Sequence, residues 1–352
     1  MTTTGINYED SRVQALHKMM AENSLSGHWL HGTPAPELEP RAWPWKVIRD
    51  CLEESGEVVE IGEADSQAAR RTVQLINPAL TERKSTSRTL QMSIQLVKPG
   101  EIAECHRHTA AALRFIVEST GAFTAVEGER MVMEPGDLVL TPNWTWHDHA
   151  NNTQGPAVWL DVLDVPFVSN IGGMFAEPFG EGRSQPITKP DGYSQRRLGA
   201  IRSSVDRPST NEALPFTYKW ADALAAMEAM DDAGESSPYD GVLLEYTNPV
   251  TGGPTMPTIG CWAQMLRPGE KTEPHRHTGM TVYHTVSGEG VTTVGRGSDE
   301  KALGWGAHDC FFVPSWQWHR HENPSKSEPA FLFSVTDRPM LQAFNLYQEE
   351  KG

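Results

Sequence analysis

The stretch Gly100-Glu-Ile-Ala-Glu-Cys-His106-Arg-His108-Thr109 decides the fold of this chain, because it returns as Gly269-Glu-Lys-Thr-Glu-Pro-His275-Arg-His277-Thr278. A second stretch, PNWTWHDHAN from Pro142, returns as PSWQWHRHEN from Pro314. The offset is 169 residues for the first stretch and 172 for the second. Motifs that return in the same order at a nearly constant offset indicate two copies of one structural unit.

The pattern inside the first copy is one of short strands. We predict strands over residues 90–97, 113–117, 122–126, 137–141 and 157–162, which are rich in β-formers and broken by Gly, Pro or Asn. Closely spaced short strands are typical of a sandwich or barrel. Helical periodicity predicts helices over residues 8–22 and 217–230, with Val13, Leu16 and Met20 inward on the first.

Composition limits the class of protein. The 352 residues carry a formal net charge of −16, which disfavours a nucleic-acid partner because such a surface repels phosphates. No apolar run approaches the roughly 18–20 residues of a membrane helix, so we expect no membrane segment. The four cysteines are scattered, which favours a reducing, cytoplasmic location.

The histidines predict a metal site. Eight of the 13 fall in four His-x-His pairs, at 106/108, 147/149, 275/277 and 319/321. Side chains two apart on a strand share a face, so such a pair in a barrel points two imidazoles inward. Imidazole binds Fe, Zn, Cu or Ni. One pair is common by chance, but two pairs in each of two repeats indicate at least one metal site.

The motif spacings resemble those of the cupin family. Gly100-x5-His106-x-His108 and Gly136-x5-Pro142-x4-His147-x3-Asn151 resemble its two motifs. The resemblance implies metal ligands His106, His108 and His147, and a possible second site at His275, His277 and His319. Neither copy has the glutamate that many cupins add. A three-histidine site leaves about three octahedral positions for a chelating substrate and O2.

Longer segments resemble the gentisate 1,2-dioxygenase group of bicupins, which includes salicylate, substituted-salicylate and 1-hydroxy-2-naphthoate dioxygenases. They are Arg70-Arg-Thr-Val-Gln-Leu-Ile-Asn-Pro78, His106-Arg-His-Thr-x4-Arg114-Phe and Trp159-Leu-Asp161-x-Leu-Asp164-x-Pro166. The resemblance implies Fe(II), O2 and a small aromatic acid. It implies cleavage of a 2-hydroxybenzoate, gentisate or another 5-substituted salicylate such as 5-nitrosalicylate, between the carboxyl-bearing and hydroxyl-bearing carbons. It also implies a homotetramer.

We therefore predict an all-β bicupin of two double-stranded β-helix (jelly-roll) barrels with a few flanking helices. The predicted domains are an N-terminal helical or extended arm (1–68), a catalytic cupin barrel (69–168), a linker with a helix (169–238), a second cupin barrel (239–340) and a C-terminal tail (341–352).

Several polar residues are candidates for the substrate site. Arg114 is predicted to pair with the substrate carboxylate, which a guanidinium matches in a bidentate manner. His149 shares a face with His147 and is a candidate to take the phenol proton or to hydrogen-bond the carboxylate, or to have no catalytic role. Asp161 is a candidate to orient His149 or shuttle a proton, or to be structural.

The remaining candidates concern substrate binding and packing. Gln95 is a candidate for binding substrate or O2, and Arg70 for the site entrance. Gln91 and Ser93 replace the Tyr/Trp-x-Gly of gentisate enzymes and are predicted to reshape the pocket around the far edge of the ring. Trp144 and Trp146 are expected in the core, and Cys105 is expected to face away from the metal.

The two copies differ in one informative position. Arg114 stands eight residues after His106, whereas Tyr283 stands eight after His275. We therefore place the chemistry in the first barrel, while the second binds a structural metal, stays empty or has a lesser activity. The alternatives are another metal-dependent cupin, such as a decarboxylase or isomerase, and a non-catalytic bicupin that binds an aromatic acid.

Overall fold

The computed structural model describes residues 6–30, 35, 37–62, 69–199 and 214–352. The chain divides into two compact units, residues 1–37 and 38–352. In the first unit, helix α1 (Ser11–Glu22) begins after Asp10, whose carboxylate accepts a hydrogen bond from the Arg12 amide at 2.8 Å. This cap explains why the helix starts later than the periodicity predicts. Leu16, expected inward, is 37% exposed within this chain.

The second unit consists mainly of antiparallel strands. Its first part contains β1 (Arg41–Trp43), α2 (Trp45–Val58), β2 (Thr72–Gln74), β3 (Gln91–Val97), β4 (Ile102–His108), β5 (Ala112–Glu118), β6 (Phe123–Val126), β7 (Glu129–Val132), β8 (Leu138–Thr141), β9 (His147–Ala150), β10 (Ala157–Leu163), α3 (Val165–Asn170), β11 (Ala176–Pro178), α4 (Tyr193–Leu198) and β12 (Thr217–Tyr218).

Its second part contains α5 (Trp220–Asp232), β13 (Val242–Tyr246), β14 (Gly260–Leu266), β15 (His275–His277), β16 (Thr281–Ser287), β17 (Gly290–Val294), β18 (Lys301–Trp305), β19 (Cys310–Val313), β20 (His319–Glu322), β21 (Ala330–Thr336), α6 (Arg338–Ala343) and β22 (Glu349–Lys351). Short 3-10 turns lie at Pro78–Arg83 and Gly297–Asp299.

The first barrel packs two sheets against each other. One has the strand order β12-β8-β5-β10-β3-β2 and the other β11-β4-β9-β6-β7. Side chains from both sheets, including Ile116, Val126 and Trp159, form one buried cluster between them. The five strands predicted here are all present, with ends that differ by at most one residue. The prediction of an all-β, two-barrel fold is confirmed.

The second barrel repeats this arrangement. Its sheets have the orders β1-β19-β16-β21-β14-β13 and β18-β17-β20-β15-β22. Strand β1 precedes the first barrel in the chain but pairs with β19 of the second, Arg41 opposite Phe312. The N-terminal arm therefore contributes a strand to the distant barrel.

The barrels are joined by a buried interface with approximate two-fold symmetry. The rings of Phe115 and Phe333 stack at 4.1 Å. The Thr258 hydroxyl donates to Asp164 at 2.6 Å, and the Thr89 hydroxyl donates reciprocally to Asp337 at 2.7 Å. Burial raises the pKa of Asp337 to about 6. Two matched polar contacts inside an apolar interface fix how the repeats face each other.

The segments predicted as linker and tail contribute strands to the barrels. Strand β11 pairs with β4, which places Ala176 opposite His108. Strand β22 pairs with β15 in the same way. The helix predicted over 217–230 runs instead from Trp220 to Asp232, because Thr217 and Tyr218 extend the first sheet as β12. Within the described residues, no helix is both long and apolar enough to cross a membrane.

Candidate active site

Three histidines meet inside the first barrel. His106 and His108 lie on β4 and His147 lies on β9, where pairing puts His147 directly opposite His106. One ring nitrogen from each lies within 4.8 Å of the others. His147 is 1% exposed. Strand alternation and antiparallel register together bring the three rings to one point.

The hydrogen bonds of these rings leave the Nε2 atoms for a metal. The Nδ1 atoms face backbone carbonyls: Glu104 at 3.1 Å from His106, Ala110 at 2.8 Å from His108 and Thr145 at 2.9 Å from His147. Donation from Nδ1 leaves the Nε2 lone pair available, the usual arrangement around a metal.

The buried Nε2 of His147 has no partner in the protein. Burial lowers the pKa of His106 to about 3, with a further contribution from Arg70, and lowers that of His108 to about 4. Neutral imidazoles are the ligating form. This donor set fits a divalent metal, and among the described residues the group contains histidines alone.

Cys105 lies on the opposite face of the same strand. Burial raises the pKa of its thiol to about 12, and the thiol contacts Asp148 rather than the histidine cluster. Cys105 is therefore a packing residue, as the alternation of β4 predicts.

Arg70 lies beside the first ligand. Its Nη2 donates to the Glu104 carbonyl at 2.9 Å and lies 2.6 Å from His106 Nδ1. A guanidinium has no acceptor, so it can bond Nδ1 only when that nitrogen is unprotonated. Metal binding through Nε2 requires the other tautomer, in which Nδ1 donates to Glu104. Arg70 then keeps its hydrogen bond to the Glu104 carbonyl.

Arg114 is buried close to the cluster. It is 4% exposed, on β5, and pairing sets it directly opposite Asp161 on β10. Arg114 Nε lies 3.3 Å from Asp161 Oδ1, within ion-pair range, but neither atom has a well-aligned hydrogen bond. Nη1 donates to the Thr141 hydroxyl at 3.0 Å. These contacts hold the guanidinium in place and leave some of its N–H donors for a ligand.

Asp161 contacts residues other than His149, its predicted partner. It faces Arg114 and accepts a hydrogen bond from Trp159 Nε1 at 3.0 Å. Burial raises the pKa of Asp161, and Arg114 opposes that shift. Its contacts position Arg114, whereas the sequence suggested His149 as its partner.

His149 lies deeper, beside the ligands. Its ring centroid is 6.0 Å from that of His147 and 5.3 Å from that of Trp159. Nδ1 contacts the Thr124 hydroxyl at 2.8 Å, whereas the buried Nε2 has no partner. Burial lowers the pKa of His149 well below its ordinary value, with smaller contributions from Arg114 and Arg70. His149 is thus a neutral ring with one nitrogen available.

The candidate pocket residues share one face of the other sheet. Ser93 pairs with Asp161, which pairs in turn with Arg114, so these side chains form a row across three strands. Gln95 lies on the same face, and its buried Nε2 has no partner. Gln91 instead donates from Nε2 to the Met92 carbonyl at 2.8 Å. Ser93 and Gln95 are therefore placed to contact a ligand between the sheets.

The contacts of the two tryptophans in the second motif were not predicted from the sequence. Trp144 and Trp146, expected in the core, are only half-buried. They flank the Arg107 guanidinium, whose Cζ lies 4.3 Å and 4.4 Å from their ring centroids. In the second barrel, Arg276 lies between two tryptophans in the same way. The arginine between the two histidines recurs in both repeats, and this recurrence is the sequence signal that could have predicted the contact. The two indoles and the guanidinium stabilise β4 from its outer side.

The second cluster repeats the histidine geometry. His275, His277 and His319 offer ligand atoms within 4.8 Å of one another. Tyr283 occupies the register position of Arg114, opposite Ser334 instead of an aspartate. His284, which has no counterpart in the first repeat, lies at the interface between barrels, 5.7 Å from the ring of Phe115. The second site therefore lacks the Arg–Asp pair.

These two barrels, each with three inward-pointing histidines, define a bicupin. The cupin domain family matches residues 93–163 and 262–336, once for each barrel.

Known relatives define the family within the bicupins. The chain is 40% identical over 349 residues to a 5-aminosalicylate 1,2-dioxygenase of Comamonas sp., covering 96% of this chain and 90% of the relative. It is 38% identical over 320 residues to a gentisate 1,2-dioxygenase of Aquipseudomonas alcaligenes, covering 91% and 89%.

A solved structure agrees with these relatives. The crystal structure of salicylate 1,2-dioxygenase from Pseudoaminobacter salicylatoxidans with gentisate is similar at a TM-score of 0.88 and 29% identity, covering 100% of this chain and 97% of the other. The chain belongs to the gentisate 1,2-dioxygenase-like family of ring-cleaving bicupins. The predicted family is therefore confirmed.

Proposed function

We propose that the protein cleaves the ring of a 5-substituted 2-hydroxybenzoate with O2, using Fe(II) held by His106, His108 and His147. The cleaved bond would join the carboxyl-bearing and hydroxyl-bearing carbons. The observation that carries the proposal is the buried Arg114 beside an all-histidine cluster. That pairing provides both a metal site and a binding site for an aromatic carboxylate.

The metal and the protein have separate tasks. Bound Fe(II) would supply the redox chemistry that activates O2, and the phenol and carboxylate oxygens of the substrate are suitable ligands for it. The chain's own residues bind the acid, orient its ring and exclude competing reactions.

The whole chain has a formal net charge of −16. The positive charge that attracts an anionic substrate must therefore come from residues of the site itself. Arg114 and Arg70 are the arginines whose charges act on His106 and His108. Arg114 keeps donors available after its contacts with Asp161 and Thr141. We assign it to the substrate carboxylate, with Arg70 at the cavity edge. A charge-assisted hydrogen bond of this kind contributes about 1.5–3 kcal/mol.

Two polar groups would orient the rest of the ring. The unpartnered Nε2 of His149 is placed to share a hydrogen bond with the phenol oxygen, while Thr124 holds its other nitrogen. The unpartnered amide nitrogen of Gln95 is placed to bond a substrate oxygen or O2. Buried groups without partners are costly unless a ligand satisfies them.

The substituent at position 5 would be small and polar. Relatives act on 5-aminosalicylate and gentisate, which carry an amino and a hydroxyl group there. Ser93 supplies a polar atom on the strand that borders the ring, whereas the Gln91 amide nitrogen already donates to the Met92 carbonyl. We therefore favour amino-, hydroxyl- or nitro-substituted salicylates over the unsubstituted acid.

The alternatives fit less well. A decarboxylase or isomerase of the cupin type would consume no O2, and the family assignment favours a dioxygenase. A non-catalytic acid-binding bicupin would not require the complete histidine cluster of the first barrel. The cytoplasmic location and the homotetramer stay predictions, and light scattering on the purified chain would test the tetramer.

An oxygen-consumption assay tests the function. The chain is loaded anaerobically with Fe(II), and O2 uptake is measured with gentisate, 5-aminosalicylate, 5-nitrosalicylate, salicylate and 1-hydroxy-2-naphthoate. We expect stoichiometric uptake and ring-opened product with at least one 5-substituted salicylate, and none with His147→Ala. Lack of uptake with every acid, in a chain that has retained its iron, would refute the proposal.

A further inference from the structure

The two barrels have opposite charge at the same point of the fold. Gln95 and Gln264 are equivalent in the repeats and pair with Thr72 and Leu243, respectively. Two residues before Thr72 stands Arg70, and three before Leu243 stands Asp240. The residue just before the paired strand is therefore a cation, Arg70, at the first site and an anion, Asp240, at the second.

Asp240 lies next to the second histidine cluster. Its Oδ1 is 3.7 Å from His275 Nε2. Its other oxygen accepts a hydrogen bond from Ser237 at 2.9 Å, and its backbone carbonyl accepts one from Gln264 at 2.7 Å. Ligands about 2.1 Å from one ion lie roughly 3–3.5 Å apart. Asp240 lies outside the group of ligand atoms that are all within 4.8 Å of one another, so its carboxylate has to rotate toward the cluster to share the coordination sphere.

Two histidines of this cluster have the hydrogen-bonding pattern of metal ligands, whereas the buried Nδ1 of His275 has no partner. His277 Nδ1 faces the Gly279 carbonyl at 2.6 Å, and His319 Nδ1 faces that of Gln317 at 3.0 Å. The Nε2 of His319, a residue only 1% exposed, has no partner. A buried nitrogen without a protein partner, beside a cluster of similar nitrogens, is suited to bind a cation.

The second cavity is small and crowded for an aromatic acid. Its volume is about 130 Å³, below the ~300 Å³ at which pockets for drug-sized ligands begin. Trp262 pairs with Ser334 just as Ser93 pairs with Asp161, so an indole stands where the first barrel has a hydroxymethyl group. The cavity is lined by Asp240, Leu243, Trp262, Gln264, His275, His277, Thr281, Tyr283, Ser334, Thr336, Arg338, Tyr347 and Glu349.

The charged groups of this cavity also favour a cation. Two carboxylates line it, Asp240 and Glu349. Arg338, its arginine, stacks over the Tyr347 ring at 4.4 Å. An anionic substrate would find no counterpart of the Arg114–Asp161 pair there, because Tyr283 and Ser334 occupy those positions.

We propose that the second barrel is a closed divalent-metal site, with three imidazoles from His275, His277 and His319 and a carboxylate from Asp240. The fourth ligand occupies a position that the first barrel leaves to its substrate. Strand β15 carries His275 and His277, and Asp240 precedes β13, so the ion would link these two parts of the barrel. Its role is structural, and it takes no part in ring cleavage.

Metal titration of the full chain tests this proposal. Co(II) is the probe, and bound metal is counted by equilibrium dialysis and mass spectrometry. We expect two ions per wild-type chain, and one in either His147→Ala or His319→Ala. In the His147→Ala background, Asp240→Asn should weaken the remaining site by about 10- to 100-fold. Glu349→Gln is the matched control, because it removes the other cavity carboxylate without removing a ligand. It should change affinity less than threefold.

Thermal unfolding provides a second measurement that does not depend on His319→Ala folding normally. Co(II) should raise the melting temperature of His147→Ala but not of His147→Ala/Asp240→Asn at the same metal concentration. One ion per wild-type chain that is lost in His147→Ala, or equal weakening by Asp240→Asn and Glu349→Gln, would overturn the proposal. Because these readouts need no turnover, they are independent of the oxygen-uptake assay.

Discussion

Replacement of Arg114 tests both the substrate site and the choice of barrel. In Arg114→Lys the charge remains, but the planar fork that matches a carboxylate is lost. One charge-assisted hydrogen bond contributes about 1.5–3 kcal/mol, so kcat/KM for a 5-substituted salicylate should fall about 10- to 150-fold. Metal content should stay at the wild-type value, since Arg114 is not among the ligands.

Arg114→Ala should have a second effect, on stability. The substitution leaves Asp161, which is 4% exposed, without the cation 3.3 Å away. Breaking a buried ion pair by removing one partner costs about 3–5 kcal/mol. Urea unfolding should show this loss. The double variant Arg114→Ala/Asp161→Asn should recover part of it, because the buried charge is gone, while ring cleavage stays impaired.

The assays are oxygen uptake at several substrate concentrations, metal analysis and urea unfolding on the same preparations. Tyr283→Phe is the control, since Tyr283 occupies the equivalent position in the second barrel. It should leave kcat/KM unchanged. If Arg114→Lys kept wild-type kcat/KM, or if Tyr283→Phe abolished turnover, the catalytic site would lie elsewhere.

Three further outcomes follow from particular contacts. Ser93→Trp copies the second barrel's Trp262 and should abolish calorimetric binding of the aromatic acid while the first site keeps its metal; equal binding by Ser93→Trp and Ser93→Ala would show that the ring lies elsewhere. Arg107→Ala removes a guanidinium from between two indoles and should cost about 1–2 kcal/mol in urea unfolding; a Leu variant as stable as wild type would show that only the alkyl stem matters. The pKa of Asp337 is raised from 3.8 to about 6 in the fold, so its stabilising effect is complete below pH 4 and is lost as pH rises through 6. The wild type should therefore lose about 2 kcal/mol relative to Asp337→Asn between pH 4 and pH 7, and a difference that did not vary with pH would contradict this.

The sequence alone determined the repeat, the strands and the His-x-His pairs, because all three depend on local order. His106 and His108 share a face through the two-residue period of a strand. The motif that carries His147 repeats with them at nearly the same offset. The strand ends followed from Gly, Pro and Asn, whose backbone preferences are local. Family resemblance then added the ligand set and the class of reaction.

The tertiary structure decided what depends on register between distant strands. Asp161 is opposite Arg114 because β10 pairs with β5 in one register, which no local pattern specifies. Trp144 and Trp146 looked apolar enough for the core, but the turn between β8 and β9 places them around Arg107. Asp240 lies 35 residues before His275, and only the pairing of β13 with β14 brings its carboxylate to the cluster. The alternation of side chains along a strand can be read from the sequence, whereas the register between distant strands is determined by the packing of the whole barrel.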